Sequence, residues 1–122
     1  MYRTLMQMYV KGSVEAVELY LKAFNGTLGF NVKKTESTYY HSEIDICGQT
    51  IAIAEADVDK SIPGNTMQFC FHYGEGNEEA VKQAYDTLKE GSEILVPLAP
   101  CDFSSLMVDF IDKFGVRWCL FV

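Results

Sequence analysis

Basic residues are scarce in this chain and never gather. Ten Lys and Arg stand against seventeen Asp and Glu, and Lys33-Lys34 is the longest basic run. A net charge of -7 argues against a nucleic-acid backbone or an anionic membrane surface as partner. Long apolar runs are also missing: nothing approaches the roughly 18 consecutive apolar residues of a membrane span. The opening MYRTLMQMYV is too short and too polar for a secretory leader, so a reducing cytoplasm is the expected location. There are four cysteines, Cys47, Cys70, Cys101 and Cys119, and no CxxC or CxH spacing, which leaves a zinc knuckle or a thioredoxin-like motif without support. Three of the four sit in apolar runs and read as small core residues. Histidine occurs twice, as His41 and His72. No Ser-His-Asp set, nucleophile elbow, P-loop or dinucleotide fingerprint is found.

What the chain does have is a repeat. Tyr9-x-x-Gly12-Ser13-x-Glu15-Ala16-Val17 returns 64 positions on as Tyr73-x-x-Gly76-Asn77-x-Glu79-Ala80-Val81. Asp45-x-x-Gly48 returns 67 positions on as Asp112-x-x-Gly115. Matching positions have matching structural roles, so the fold is expected to be two similar modules. With 48% hydrophobic and 13% aromatic residues the chain can fill a core, and 22% charged residues is not the composition of a disordered segment.

Local patterns give the same order twice. Leu5 to Val10 reads as a strand. Ser13 is the expected N-cap of a helix running to about Phe24, with Val14, Val17, Leu21 and Phe24 on its apolar face. Asn25-Gly26 stops it. Leu28 to Lys34, Thr38 to Cys47 and Thr50 to Ala54 follow as strands, with a tight turn at Gly48-Gln49. The polar stretch with Pro63-Gly64 is the expected linker. Thr66 to Tyr73 is then a strand, Asn77 caps a helix whose apolar face is Ala80, Val81, Ala84, Tyr85 and Leu88, and Gly91 ends it. Glu93 to Leu98, Leu106 to Ile111 and Val116 to Val122 are strands, the last two joined by a hairpin at Asp112 to Gly115. The expected fold is α+β, two tandem βαβββ modules in one domain over 1–122: module one 1–56, linker 57–65, module two 66–122. One face of each sheet takes the helix, and pairing of the modules is expected to leave a concave trough between them, suited to a small molecule.

These residues resemble a known family. Paired βαβββ modules mark the vicinal oxygen chelate superfamily, which includes glyoxalase I, extradiol dioxygenases and bleomycin-resistance proteins. YVKGSVEAVELYLKAFNG (Tyr9 to Gly26), EIDICGQTIAIAEA (Glu43 to Ala56) and DKFGVRW (Asp112 to Trp118) are similar, in order, to segments of its 3-demethylubiquinone-9 3-methyltransferase-like glyoxalase branch. That branch carries an aromatic-glycine pair and a Tyr-Gly before the final hairpin, where this chain has Phe103-Ser104-Ser105-Leu106-Met107-Val108. The resemblance implies a homodimer. It also implies metal ligands, in the metal enzymes, on the first and last strand of each module. Laid over this chain, those places fall on Leu5, Ala52, Phe69 and Cys119, with Gln7, Glu55, Gln68 and His72 the nearest polar residues. The expectation is therefore no superfamily metal centre and no cofactor.

Ligand-contact candidates are Gln7, Tyr9, His41, Gln68, Cys70, His72, Phe103 and Trp118. Gln7 and Tyr9 share a strand face, as do Gln68, Cys70 and His72. Trp118 and Phe103, with Phe69 and Phe71, form either an aromatic wall or core. His72, near neutrality when unperturbed, and Glu55 are the candidate acid-base groups; Glu55 is equally explained as a cap. The expected function is small-molecule binding of the glyoxalase/bleomycin-resistance type, with a divalent-metal-dependent lyase, isomerase or dioxygenase as the alternative.

Overall fold

The computed structural model describes residues 1–57 and 66–122. The expected linker, apart from its first residue, lies outside the described residues. The chain divides into two compact units, Met1–Ser61 and Ile62–Val122. It is α+β, with two four-stranded sheets and two helices.

In the first unit the order is β1 (Met6–Val10), α1 (Ser13–Phe24), β2 (Thr27–Thr35), β3 (Thr38–Ile46) and β4 (Gln49–Glu55). The sheet order is β1-β4-β3-β2, so the first and last strands meet in parallel while β2, β3 and β4 form an antiparallel meander. α1 buries Ser13, Ala16, Val17, Tyr20, Ala23 and Phe24. This face is turned from the expected one, because Ala16 and Ala23 let the helix close on the sheet while Val14 and Leu21 stay on its flank. Beneath it lie Met8, Val10, Ile44, Ile46, Ile51 and Ile53, alternate residues of three adjacent strands.

The second unit repeats the plan with β5 (Phe69–His72), α2 (Glu78–Leu88), β6 (Glu93–Cys101), β7 (Ser104–Ile111) and β8 (Arg117–Phe121), in the order β5-β8-β7-β6. Val81, Ala84, Tyr85 and Leu88 of α2 are buried, and Tyr85 meets the edge of Phe110 at 5.2 Å between ring centroids. β6 runs past Leu98 through Pro97 and Pro100, which an edge strand tolerates because one row of its N–H groups has no neighbour to bond. β5 is shorter than its aromatic-rich sequence suggests.

The helix starts differ from expectation. The N-cap of α1 is Gly12, not Ser13. Glu55, at the end of β4, accepts from the Gly12 and Ser13 amides at 3.0 and 2.9 Å. Ser13 is fully buried. Its hydroxyl donates to Glu55 at 2.8 Å and accepts from the Tyr39 amide at 2.7 Å, tying β4, α1 and β3 together. Asn77 is the N-cap of α2, but its side chain reaches back to the Tyr73 and Gly74 carbonyls instead of capping. Gly12 and Gly76, equivalent in the repeat, both take the left-handed backbone that glycine adopts without strain.

The two hairpins also part company. The first turn is Cys47-Gly48, one residue earlier than expected. Both residues have positive φ, as in a type I′ turn, and Ile46 pairs with Gln49. The second spans Asp112 to Val116. Asp112, buried, accepts from the Phe114 and Val116 amides at 2.9 and 3.0 Å and from Trp118 Nε1 at 2.8 Å.

Candidate functional site

Each sheet has one face against its helix and one face without it, and polar side chains collect on the latter. In the first unit the strand register sets Gln7 beside Ala52, and Ala52 beside Glu43. Glu43 is only 7% exposed. Arg3 forks onto it, Nη1 to Oε2 at 3.0 Å and Nη2 to Oε1 at 2.7 Å, and His41 Nε2 lies 3.0 Å from Oε1. The Arg3 hydrogen bonds, and then that of His41, hold the Glu43 carboxyl down at about 2 against the opposing effect of burial. His41 also faces Phe30, with ring centroids 6.1 Å apart. Tyr9, two residues from Gln7, is exposed.

The equivalent row in the second unit is Cys70, Cys119 and Asp109. Asp109 is the counterpart of Glu43: Arg117 reaches it from Nε at 3.0 Å and from Nη2 at 2.7 Å, and Gln68 donates to it at 3.4 Å. No cysteine is buried; Cys47 and Cys70 are exposed, Cys101 and Cys119 intermediate. The reading of three as core residues fails because β5 and β8 alternate between a helix-covered face and an uncovered one. Phe69, Phe71, Trp118 and Leu120 occupy the covered face, and the thiols take the other.

One pleat further along, His72 stacks on Phe121, centroids 4.7 Å apart and planes within 16°. Phe103, 65% exposed in the β6–β7 turn, meets Phe121 edge-on at 5.5 Å. A pocket of about 270 Å³ opens here, lined by His72, Glu75, Phe103, Ser104, Ser105 and Val122. All six belong to the second unit. Ser105 donates to Glu78 at 3.0 Å. The Glu78 carboxyl is held below its ordinary range, first by its own backbone amide at the start of α2 and then by Ser105.

The structure thus brings His72 and Phe103 into one pocket, with Cys70 one pleat away and Gln68 at Asp109. Gln7, Tyr9 and His41 belong to the first unit. Trp118 is 0% exposed, stacked on Phe69 at 5.0 Å and edge-on to Phe71, with its N–H taken by Asp112. It is core and leaves a ligand no surface. At Glu55 burial pulls the carboxyl pKa up, but hydrogen bonds from Ser13 and Gly12 outweigh it and the net shift is downward. Its partners account for it as the cap of α1. Four groups of these clusters, Arg3, Glu43, Asp109 and Arg117, were not among the candidates. Asp109 carried a signal, a lone acid in the apolar run LMVDFI; the Arg3–Glu43 pair is 40 positions apart and carried none.

Metal ligation, by the resemblance above, would fall on the first and last strands of each unit. Those strands offer Gln7, Ala52 and Glu55 in the first unit and Cys70, His72 and Cys119 in the second. An amide, a methyl group and two thiols do not match the His and carboxylate donors that a hard divalent ion prefers; the carboxylate of Glu55 is taken by Gly12 and Ser13, and His72 is stacked on Phe121. Among the described residues no three His, Cys, Asp or Glu side chains are grouped to hold a metal ion. These residues do not fit the group.

No family model and no curated protein matches the chain. Solved structures do. The PhnB protein from Bacillus cereus is 21% identical with a TM-score of 0.78, covering 97% of this chain and 95% of its own. Protein PA1353 from Pseudomonas aeruginosa is 16% identical at TM-score 0.80, covering 99% and 97%. The fosfomycin resistance protein FosX from Listeria monocytogenes, in complex with Mn(II) and a dihydroxypropylphosphonic acid, is 14% identical at TM-score 0.73, covering 99% and 92%. PhnB-like and FosX proteins are members of the vicinal oxygen chelate superfamily, and this chain shares their fold of paired βαβββ modules.

Proposed function

We propose that the chain is a small-molecule-binding protein that holds a planar, neutral or cationic ligand in the second unit without the superfamily's metal centre. The observation that carries this reading is the pocket lined by His72 and Phe103, whose rings both rest against Phe121. The rings of His72 and Phe103 give a flat apolar body something to pack on, and Ser105 and Glu75 give the rim its polar contacts. The lining holds a carboxylate and no Lys or Arg, which disfavours an anionic ligand such as the phosphonate bound by FosX. His72 is the acid-base group within reach should the ligand react there.

A thermal-shift screen of planar aromatic compounds, with and without chelator, tests the proposal. A hit should raise Tm equally in both conditions, and Phe103→Ala should weaken it about tenfold, the worth of one good aromatic contact. Stabilisation that needs Mn(II) and disappears with chelator would instead establish the metal-dependent alternative. The proposal includes a homodimer, since the edge strands β2 and β6 expose Leu28, Phe30, Val32, Ile94, Leu95 and Val96; light scattering that returns a monomer mass removes that part. Among the described residues no helix is long and apolar enough to cross a membrane.

A further inference from the structure

We infer that Cys70 and Cys119 form a cross-strand dithiol, a modification site that closes reversibly to a disulfide on reaction with a low-molecular-weight disulfide. The two residues are register partners in the parallel β5–β8 pair. Neighbouring strands lie roughly 4.8 Å apart, inside the Cα separation of about 4.4 to 6.8 Å that a disulfide spans. Both side chains project from the face that α2 leaves uncovered: the residues on either side of them in β8, Trp118 and Leu120, are fully buried, while Cys70 is exposed and Cys119 partly so. The Cys119 thiol is pushed up to about 11, by its own burial first and then by Cys70 and Asp109. Arg117 is a cation beside both thiols, although its hydrogen bonds go to Asp109.

Accessibility assigns the order of events. The Cys70 thiolate, the exposed one, attacks one sulfur of the incoming disulfide, forming a mixed disulfide and releasing one thiol. Cys119, a thiol near neutrality, gives up its proton as its sulfur attacks the Cys70 sulfur, forming the Cys70–Cys119 bond and releasing the second thiol. The two thiol protons pass to the two departing thiolates. The protein loses two electrons and the small disulfide gains them.

Oxidised glutathione is the probe. Incubation of the full chain should halve its titratable thiols, measured after denaturation, from the four free cysteines to two. Peptide mapping should find Cys70 joined to Cys119, and a dithiol reductant should restore all four. Cys119→Ser should stop the reaction at one glutathione held on Cys70. An unchanged thiol count, a lasting glutathione adduct on Cys70 in the wild type, or a bond to Cys47 or Cys101 would each overturn the inference. The mapping of the wild-type protein decides the matter even if the serine variant fails to fold. Since the readout is a thiol count, its outcome is independent of whether the pocket binds a ligand.

Discussion

The two units use one strand plan and arrange polar groups on it differently. In the first, the uncovered face carries the Arg3–Glu43–His41 ion cluster and a small Ala52 between Glu43 and Gln7. In the second, Arg117 and Asp109 repeat the ion pair, but the strands beside it carry two thiols and a stack of aromatic rings. A duplicated scaffold holds the acid in place twice, while the residues next to it are free to diverge. The pocket lined by His72 and Phe103 is built from residues of the second unit. The hairpins differ in the same way. Asp45 and Asp112 occupy equivalent places, yet Asp45 accepts one amide on the surface and Asp112 holds two amides and the core tryptophan.

Asp112→Ala against Asp45→Ala breaks this comparison most sharply. The first leaves buried donors unpaired and should cost about 3 kcal/mol or more; the second should cost about 0.5 kcal/mol. Urea denaturation of both variants measures it, and equal costs would mean the two turns are energetically alike. Next come the helix starts. Glu55→Gln removes the charge that caps α1 and should cost about 1 kcal/mol, whereas Asn77→Ala, whose side chain does not cap α2, should cost about half as much.

The ion clusters give a pH test. Glu43 is held at about 2 in the folded chain, below the ordinary carboxylate range. Its contribution to stability is therefore present above that range and is lost as pH falls through it toward 2. Denaturation midpoints between pH 6 and pH 3 should fall less steeply in Glu43→Gln than in the wild type, and parallel curves would refute the assignment. The smallest effect concerns Cys47, a non-glycine residue at φ 53° in the first turn. Cys47→Asn suits that backbone and should raise stability by a few tenths of a kcal/mol, seen as a small rise in Tm.

The repeat made the fold legible. Glycines, caps and period-two alternation recur in order, and these local signals fixed element type and sequence. What stayed hidden depends on register between distant segments. The Glu55 cap of α1 reads as chemistry or capping until β4 is laid beside β1. Trp118 reads as wall or core until β8 is given a face. The cysteines looked like core because an apolar run was taken as buried on both sides, although one side of that sheet carries no helix. His72 and Phe103, 31 positions apart, share a pocket only because the β6–β7 turn and the end of β5 lie at the same end of the sheet.

The parallel pairing of first and last strands has a consequence for synthesis. β5 has β8 as its sheet neighbour, so a nascent chain cannot lodge Phe69–His72 until residues up to Phe121 have left the ribosome. The first unit meets the same condition once Glu55 has emerged. During translation of the second half, one finished sheet therefore precedes a segment whose aromatic strand waits unpaired, and that interval is when a chaperone would find Phe69 and Phe71 in reach.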